Sequence, residues 1–257
     1  MGNKDCIAVL TGDLIEYRKF KGGPDQYINY LVDALESISK KFDFQYQIFR
    51  GDSFQGILHR PEVALEVSLL IRSHLLSQPH IRLFLDQDKD PPYESHERSE
   101  VDASDEPADA RFLENRCDTR IAIGVGEAGS INEDNLGSSD GQAFRFSGYR
   151  LDLMKRNKQN LSVVTPWNDF NEEIDIECSL VDAIVDRWTR EQAMVVYLSL
   201  TKKKQDEISK ILRITQSGVS QRLSRTGFSS LEKTIDRFSE RIKRFECSFR
   251  SDEEGGT

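Results

Sequence analysis

Apolar positions in the first half of the chain switch repeatedly between strand and helix spacing. Residues 6–13 form a short apolar run that reads as a strand. Gly22-Gly23-Pro24-Asp25 breaks it and opens a helix, because proline is tolerated in a first turn. Tyr27, Tyr30, Leu31, Ala34, Leu35, Ile38 and Phe42 then recur at helical spacing, which predicts an amphipathic helix over 25–42. Phe44, Tyr46, Ile48 and Arg50 alternate, as do Phe54, Gly56 and Leu58, with Gly51-Asp52 between them. That pattern predicts a β-hairpin with Asp52 near its tip. A second helix over 62–77 follows Pro61, then a strand over 119–126, a helix over 140–158 and a closing strand over 161–165. The order β-α-β-β-α-β is the split unit of ferredoxin-like folds, which brings Asp13 and Asp52 to one edge of a sheet.

From about residue 166 the pattern is all-helical. A helix is expected over 172–187. Thr189-Arg190-Glu191-Gln192 has the form of a capping box ahead of the apolar run 193–200. Two short helices over 205–212 and 216–225 are separated by Arg213-Ile214-Thr215, and a last helix covers 228–245. The chain thus divides into an α/β (α+β) domain over 1–166, an all-α domain over 167–247 and a flexible tail over 248–257. Residues 86–116 interrupt the first domain; their prolines and acids predict a long, irregular insertion, read most simply as a solvated loop.

Charge sharpens this division. The net charge of −9 hides twelve acids against four bases over 86–118, and twelve bases against five acids over 202–245. A basic C-terminal module on an acidic body is the expected arrangement. No apolar run approaches the roughly 20 residues that span a bilayer. Cys6, Cys117, Cys178 and Cys247 are far apart, as reduced thiols in a cytoplasm would be, and neither they nor the four histidines show metal-ligand spacing.

The candidate chemistry lies at the two Gly-Asp strand ends. Either aspartate alone reads as a turn residue. Together on a split unit they suit Mg²⁺ or Mn²⁺, which take hard oxygen ligands and share them with substrate phosphates. Asp13, Asp52 and the backbone carbonyl of Leu14 are the expected ligands. Gly12, Gly51 and Ser53 are the expected nucleotide-binding positions, since glycines leave room where phosphates approach.

Asp13-Leu14-Ile15 after an apolar strand resembles the first metal motif of class III nucleotidyl cyclases, and Ile48-Phe49-Arg50-Gly51-Asp52-Ser53-Phe54 resembles their hairpin motif and, more loosely, that of GGDEF diguanylate cyclases. The stretch 119–126 resembles a later cyclase strand, and Asp140-Gly141-Gln142-Ala143-Phe144, ending in Tyr149-Arg150, the helix after it. Residues 5–165 as a whole resemble the SatD family, which often joins such a palm domain to a helix-turn-helix. The resemblance implies a nucleoside triphosphate or signalling nucleotide as ligand and a homodimer as the working form. It makes Arg150 the first candidate for a phosphate contact and Arg145 the second; Arg150 also reads as an ordinary salt-bridged helix residue. Three positions depart from the family pattern: Ile48 replaces an adenine-selecting lysine, Phe146 an asparagine, and Ser53 the acid that follows the diguanylate-cyclase metal ligand.

In 205–223, Ile208, Ile211, Leu212, Ile214, Val219 and Leu223 mark the shared face of two short helices, and Thr215 can cap the second. Gln216, Ser217, Ser220, Gln221 and Arg225 are then free to face bases, and Lys202, Lys203, Lys204, Lys210 and Arg222 to face phosphates. The stretch 188–223 resembles the helix-turn-helix of sigma-region-4 and LuxR-type regulators, which implies double-stranded DNA as partner; dimerisation is the other use of such a module. The expectation is therefore a cytoplasmic, bacterial, nucleotide-responsive transcriptional regulator. The alternatives are an active metal-dependent nucleotidyl cyclase or nucleotidyltransferase, and a non-catalytic DNA-binding or interaction protein with a degenerate palm domain.

Overall fold

The computed structural model describes residues 6–49, 51–78 and 116–254, with side chains up to residue 245. Strand β1 (Cys6–Leu14) leads through a 3-10 turn (Tyr17–Lys19) to α1 (Pro24–Phe42) and the hairpin β2 (Phe44–Phe49) and β3 (Ser53–Leu58). After a second 3-10 turn (Pro61–Val63) come α2 (Ala64–Leu76), β4 (Thr119–Glu127), α3 (Gln142–Asn157) and β5 (Leu161–Val164). The helices α4 (Asn168–Val185), α5 (Arg190–Leu200), α6 (Gln205–Leu212), α7 (Gln216–Arg225) and α8 (Phe228–Glu254) complete the described chain. The expected insertion lies outside the described residues except for its last residue, Arg116, and α8 continues through residues expected to belong to the tail.

The sheet order is β2-β3-β1-β4-β5. The first four strands pair antiparallel in the split arrangement, with β3 between β1 and β2. β5 adds to β4 in parallel, as it must when a helix makes the crossover. The fold is α+β with a five-stranded mixed sheet. Alternation along β1 sends Ala8 and Leu10 into the core under α1 and α2, and Ile7 and Val9 into a second cluster with Ile57, Ala143 and Phe144 of the opposite face. There α3 comes so close to β4 that a Cβ on Gly124 would sit 2.1 Å from the Ala143 carbonyl oxygen.

One core cluster crosses the boundary expected at residue 166, joining the α1 face of the sheet to α4, α5, α7 and α8. The amphipathic pattern expected over 62–77 gives way to a helix buried nearly all round. Of the α2 side chains only Glu66 is not fully buried; Ser68, Arg72, Ser73 and His74 are inside. α2 lies between the sheet and the helical layer, so its polar residues must find partners within the protein. Arg72, fully buried, donates Nε and Nη2 to the two oxygens of Asp118 at 3.0 and 2.8 Å, and Nη1 to Asp182 at 2.6 Å. Asp182 also accepts the backbone N–H groups of Asn160 and Leu161, which start β5. Despite the desolvation, which lowers it, the Asp118 and Asp182 carboxylates hold the guanidinium above its ordinary basicity.

Removing one partner of such a network leaves the other charges buried and unpaired. Arg72→Ala is expected to lower the free energy of unfolding by about 3–5 kcal/mol, read from urea denaturation; a loss below ~1 kcal/mol would show the network to be dispensable.

His74 stacks edge-on against Tyr197 with ring centroids 5.0 Å apart, and its Nε2 meets Gln78. Burial pushes its basicity down from 6.5 to about 4. The unfolded chain then takes up the proton first, so the contribution of neutral His74 is complete above pH 6.5 and is lost as pH falls toward 4. On acidification across that window, wild type should lose on the order of 3 kcal/mol more stability than His74→Gln; parallel pH–stability curves would refute this.

Candidate functional site

The strand end that carries Asp13 and the hairpin loop that carries Asp52 lie side by side at one end of the sheet. In β1 the residue Asp13 pairs with Ser53 on one side and Arg120 on the other. Asp52 closes the three-residue hairpin loop between Phe49 and Ser53, where Gly51 takes a left-handed φ of 81° that a side chain would strain. The Leu14 N–H donates to the Asp52 carbonyl at 2.8 Å, which stitches the loop to the strand end. The Asp13 carbonyl accepts from Thr119 Oγ1 at 2.8 Å, and Asp52 lies within electrostatic reach of Arg18.

The Asp13 carboxylate is buried against the α3 face, with its side chain 11% exposed. Arg120 Nη1 donates to its oxygens at 3.3 and 3.4 Å, and Lys155 Nζ lies 3.3 Å from Oδ2. Neither cation was singled out in the sequence. The alternation of β4 could have placed Arg120 on the α3 face, but not opposite Asp13. Lys155 is five residues after Arg150 and so lies on a different side of α3.

The other expected residues are distributed differently. Gly12 belongs to the opposite face, where an added Cβ would lie 2.4 Å from the Phe54 ring; this glycine is needed for packing. Ser53 lies beside Asp13 in register, and Ile48 packs on the core under α1. Arg150 is tied to β5 and α4: its Nε donates to Ser162 at 2.6 Å and its Nη2 pairs with Asp175. Arg145 pairs with exposed Asp140 at 2.9 Å. The structure therefore brings Asp13, Asp52, Leu14, Gly51 and Ser53 together, and gives Arg150 and Arg145 partners of their own.

The expected Mg²⁺ or Mn²⁺ would have to draw its side-chain oxygens from Asp13 and Asp52. Both Asp13 oxygens are engaged by cations, and no group of three or more His, Cys, Asp or Glu among the described residues could hold a metal ion. As arranged, the donor set does not fit a divalent ion.

The second candidate surface is the helix pair α6 and α7. Ile208, Leu212 and Val219 are buried between them, with Ile211, Ile214 and Leu223 partly so. Arg213 turns the chain with a left-handed φ of 51°, and the Thr215 hydroxyl caps α7 by accepting the Gly218 N–H at 3.1 Å. Gln216, Ser217, Ser220, Gln221 and Arg225 are exposed, and Arg222 is half-buried. Lys202, Lys203 and Lys204 are exposed as well, although Lys202 reaches Glu66 at 3.0 Å. At the far end of α7 the Thr226 carbonyl accepts from Trp188 Nε1 at 3.0 Å.

No family model matches the chain, and no curated protein matches it. Among solved structures it is similar to a bacterial light-regulated adenylyl cyclase, at 14% identity over 63% of this chain and 77% of that chain, with a TM-score of 0.39.

Because Arg150 spans α3, β5 and α4, Arg150→Met should lower stability by about 1–2 kcal/mol and leave any nucleotide affinity of the chain unchanged. A variant with wild-type melting behaviour and lost nucleotide binding would return Arg150 to the phosphate-contacting role.

Proposed function

We propose that the chain is a nucleotide-responsive DNA-binding regulator, binding a nucleotide at the Asp13–Asp52 end of the sheet and double-stranded DNA through α7. The observation that carries this reading is a continuous polar path between the two surfaces. Asp118 immediately precedes β4, and its carbonyl accepts the Ile15 N–H at 3.0 Å, two residues after Asp13. Its carboxylate holds Arg72, which also holds Asp182 of α4. Arg116 donates to the carbonyls of Val185 and Asp186, each at 2.9 Å, at the end of α4. Trp188, two residues after Asp186, holds the end of α7. A ligand that shifts the β1–β4 end therefore has a packed, two-sided route to the DNA-facing helix.

The helix pair supports the DNA half of the reading. A capped second helix with exposed Gln and Arg side chains suits base edges, since Gln pairs with adenine and Arg with guanine. A homodimer reading two half-sites belongs to the same proposal, as does a reducing cytoplasmic location, which free Cys117 and Cys178 fit. Among the described residues no helix is long and apolar enough to cross a membrane. Binding is favoured over turnover because Arg150 and the Asp13 oxygens are already engaged.

With a site selected from random-sequence duplexes, Gln221→Ala with Arg225→Ala should weaken specific binding about 10- to 100-fold. Fluorescence anisotropy would read this, and an unchanged affinity would remove α7 from the interface. Addition of the responsive nucleoside triphosphate should change the wild-type DNA affinity by about 5-fold or more. If none of the four shifts either the melting temperature or the DNA affinity, the nucleotide half of the proposal is lost.

A further inference from the structure

At the β1 end of the sheet two cations converge on a single carboxylate. Arg120 and Lys155 are two cations on one carboxylate, Asp13, which leaves one positive charge there; Asp52 lies within electrostatic reach of Arg18. Lys155 is half-exposed at 46%, so its ammonium is held by Asp13 and still open to solvent. Arg120 Nε is buried and makes no hydrogen bond among the described residues, while the Arg120 side chain as a whole is 22% exposed. The surroundings are polar: Thr11 donates to Ser147 at 2.9 Å and Gln55 reaches Thr11 at 3.4 Å on the same face.

From this geometry we infer that the site takes the phosphates of its nucleotide without a divalent ion, with Lys155 and Arg120 supplying the positive charge. The inference rests on the proposed nucleotide site and names what that site recognises: a polyphosphate free of metal. In this arrangement Asp13 is a positioning residue. Its carboxylate orients the two cations side by side, and its burial keeps that geometry fixed. A carboxylate already neutralised by Lys and Arg gains little from a metal ion, which would first have to displace both. Phosphate oxygens, by contrast, accept charge-assisted hydrogen bonds from ammonium and guanidinium donors without requiring Asp13 to be displaced. Arg is suited to hold two oxygens and Lys to act as a point charge, which is the pairing found here.

Calorimetric titration of the full chain with each of the four ribonucleoside triphosphates, in EDTA and in millimolar Mg²⁺, tests this. The expected result is binding in EDTA within about 3-fold of that in Mg²⁺, with Lys155→Gln weakening the EDTA affinity about 10- to 100-fold. Because Lys155 is half-exposed, that variant should keep the wild-type melting temperature to within a few degrees. Inorganic tripolyphosphate should compete with the nucleotide in EDTA if the phosphates are the recognised part. Binding that appears only with Mg²⁺ would overturn the inference and leave the nucleotide site standing. Tighter Mg²⁺-dependent binding by Lys155→Gln would overturn it too, since Lys155 would then be blocking a metal ligand. Absence of binding in both buffers would end the inference and the nucleotide site together.

Discussion

A guanidinium with no exposed surface cannot stay charged in a protein core without carboxylates to hold it, and Arg72 sits among three. Asp118 immediately precedes β4, Asp182 lies in the last turn of α4 and Asp186 just after it. The same Asp182 anchors the first backbone N–H groups of β5, so the network fixes the sheet edge as well as the layer packed on it. α2 lies between sheet and helices because its one fully buried cation must be met from both sides. Burial of this kind adds little stability relative to a well-packed apolar core, but it admits few alternative arrangements.

The network also determines what surrounds the candidate site. Asp118 is drawn into the core by Arg72 and by Tyr27, whose hydroxyl donates to the Asp118 carbonyl at 2.6 Å. It is therefore unavailable as a third acid at the strand end. Asp13 remains with Arg120 and Lys155, and Asp52 with Arg18 in reach. A pair of aspartates that in isolation suggests cation binding has, in the folded chain, cations as its neighbours. The buried thiols carry no comparable chemistry: burial pushes Cys117 up to about 12 and Cys178 higher still, which keeps both protonated and unreactive.

Local signals in the sequence were sufficient for most elements. The switch from period-two to helical spacing located β1, α1, the β2–β3 hairpin and the split topology, because those patterns are set by which face each residue must bury. Thr189-x-x-Gln192 was legible as a capping box and forms one; Thr215 was legible as the cap of α7 and is. The limits of α6 and α7 were also readable, since short amphipathic helices between a cap and a turn leave little latitude. Helix ends without such signals moved by a few residues, as in α4, which starts earlier than its apolar pattern suggests.

The sequence by itself therefore determined the order of elements, the approach of Asp13 to Asp52 and the exposed residues of α7. All three follow from local periodicity and turn chemistry. Only the tertiary structure decided which charges meet. Arg72 joins residues 46 and 110 positions away, Arg120 reaches Asp13 across 107, and Lys155 reaches the same carboxylate from a helix end. The partner of a charge depends on strand register and layer packing, which no local pattern encodes. That pairing is also why the candidate site differs in electrostatic character from what its two aspartates alone imply.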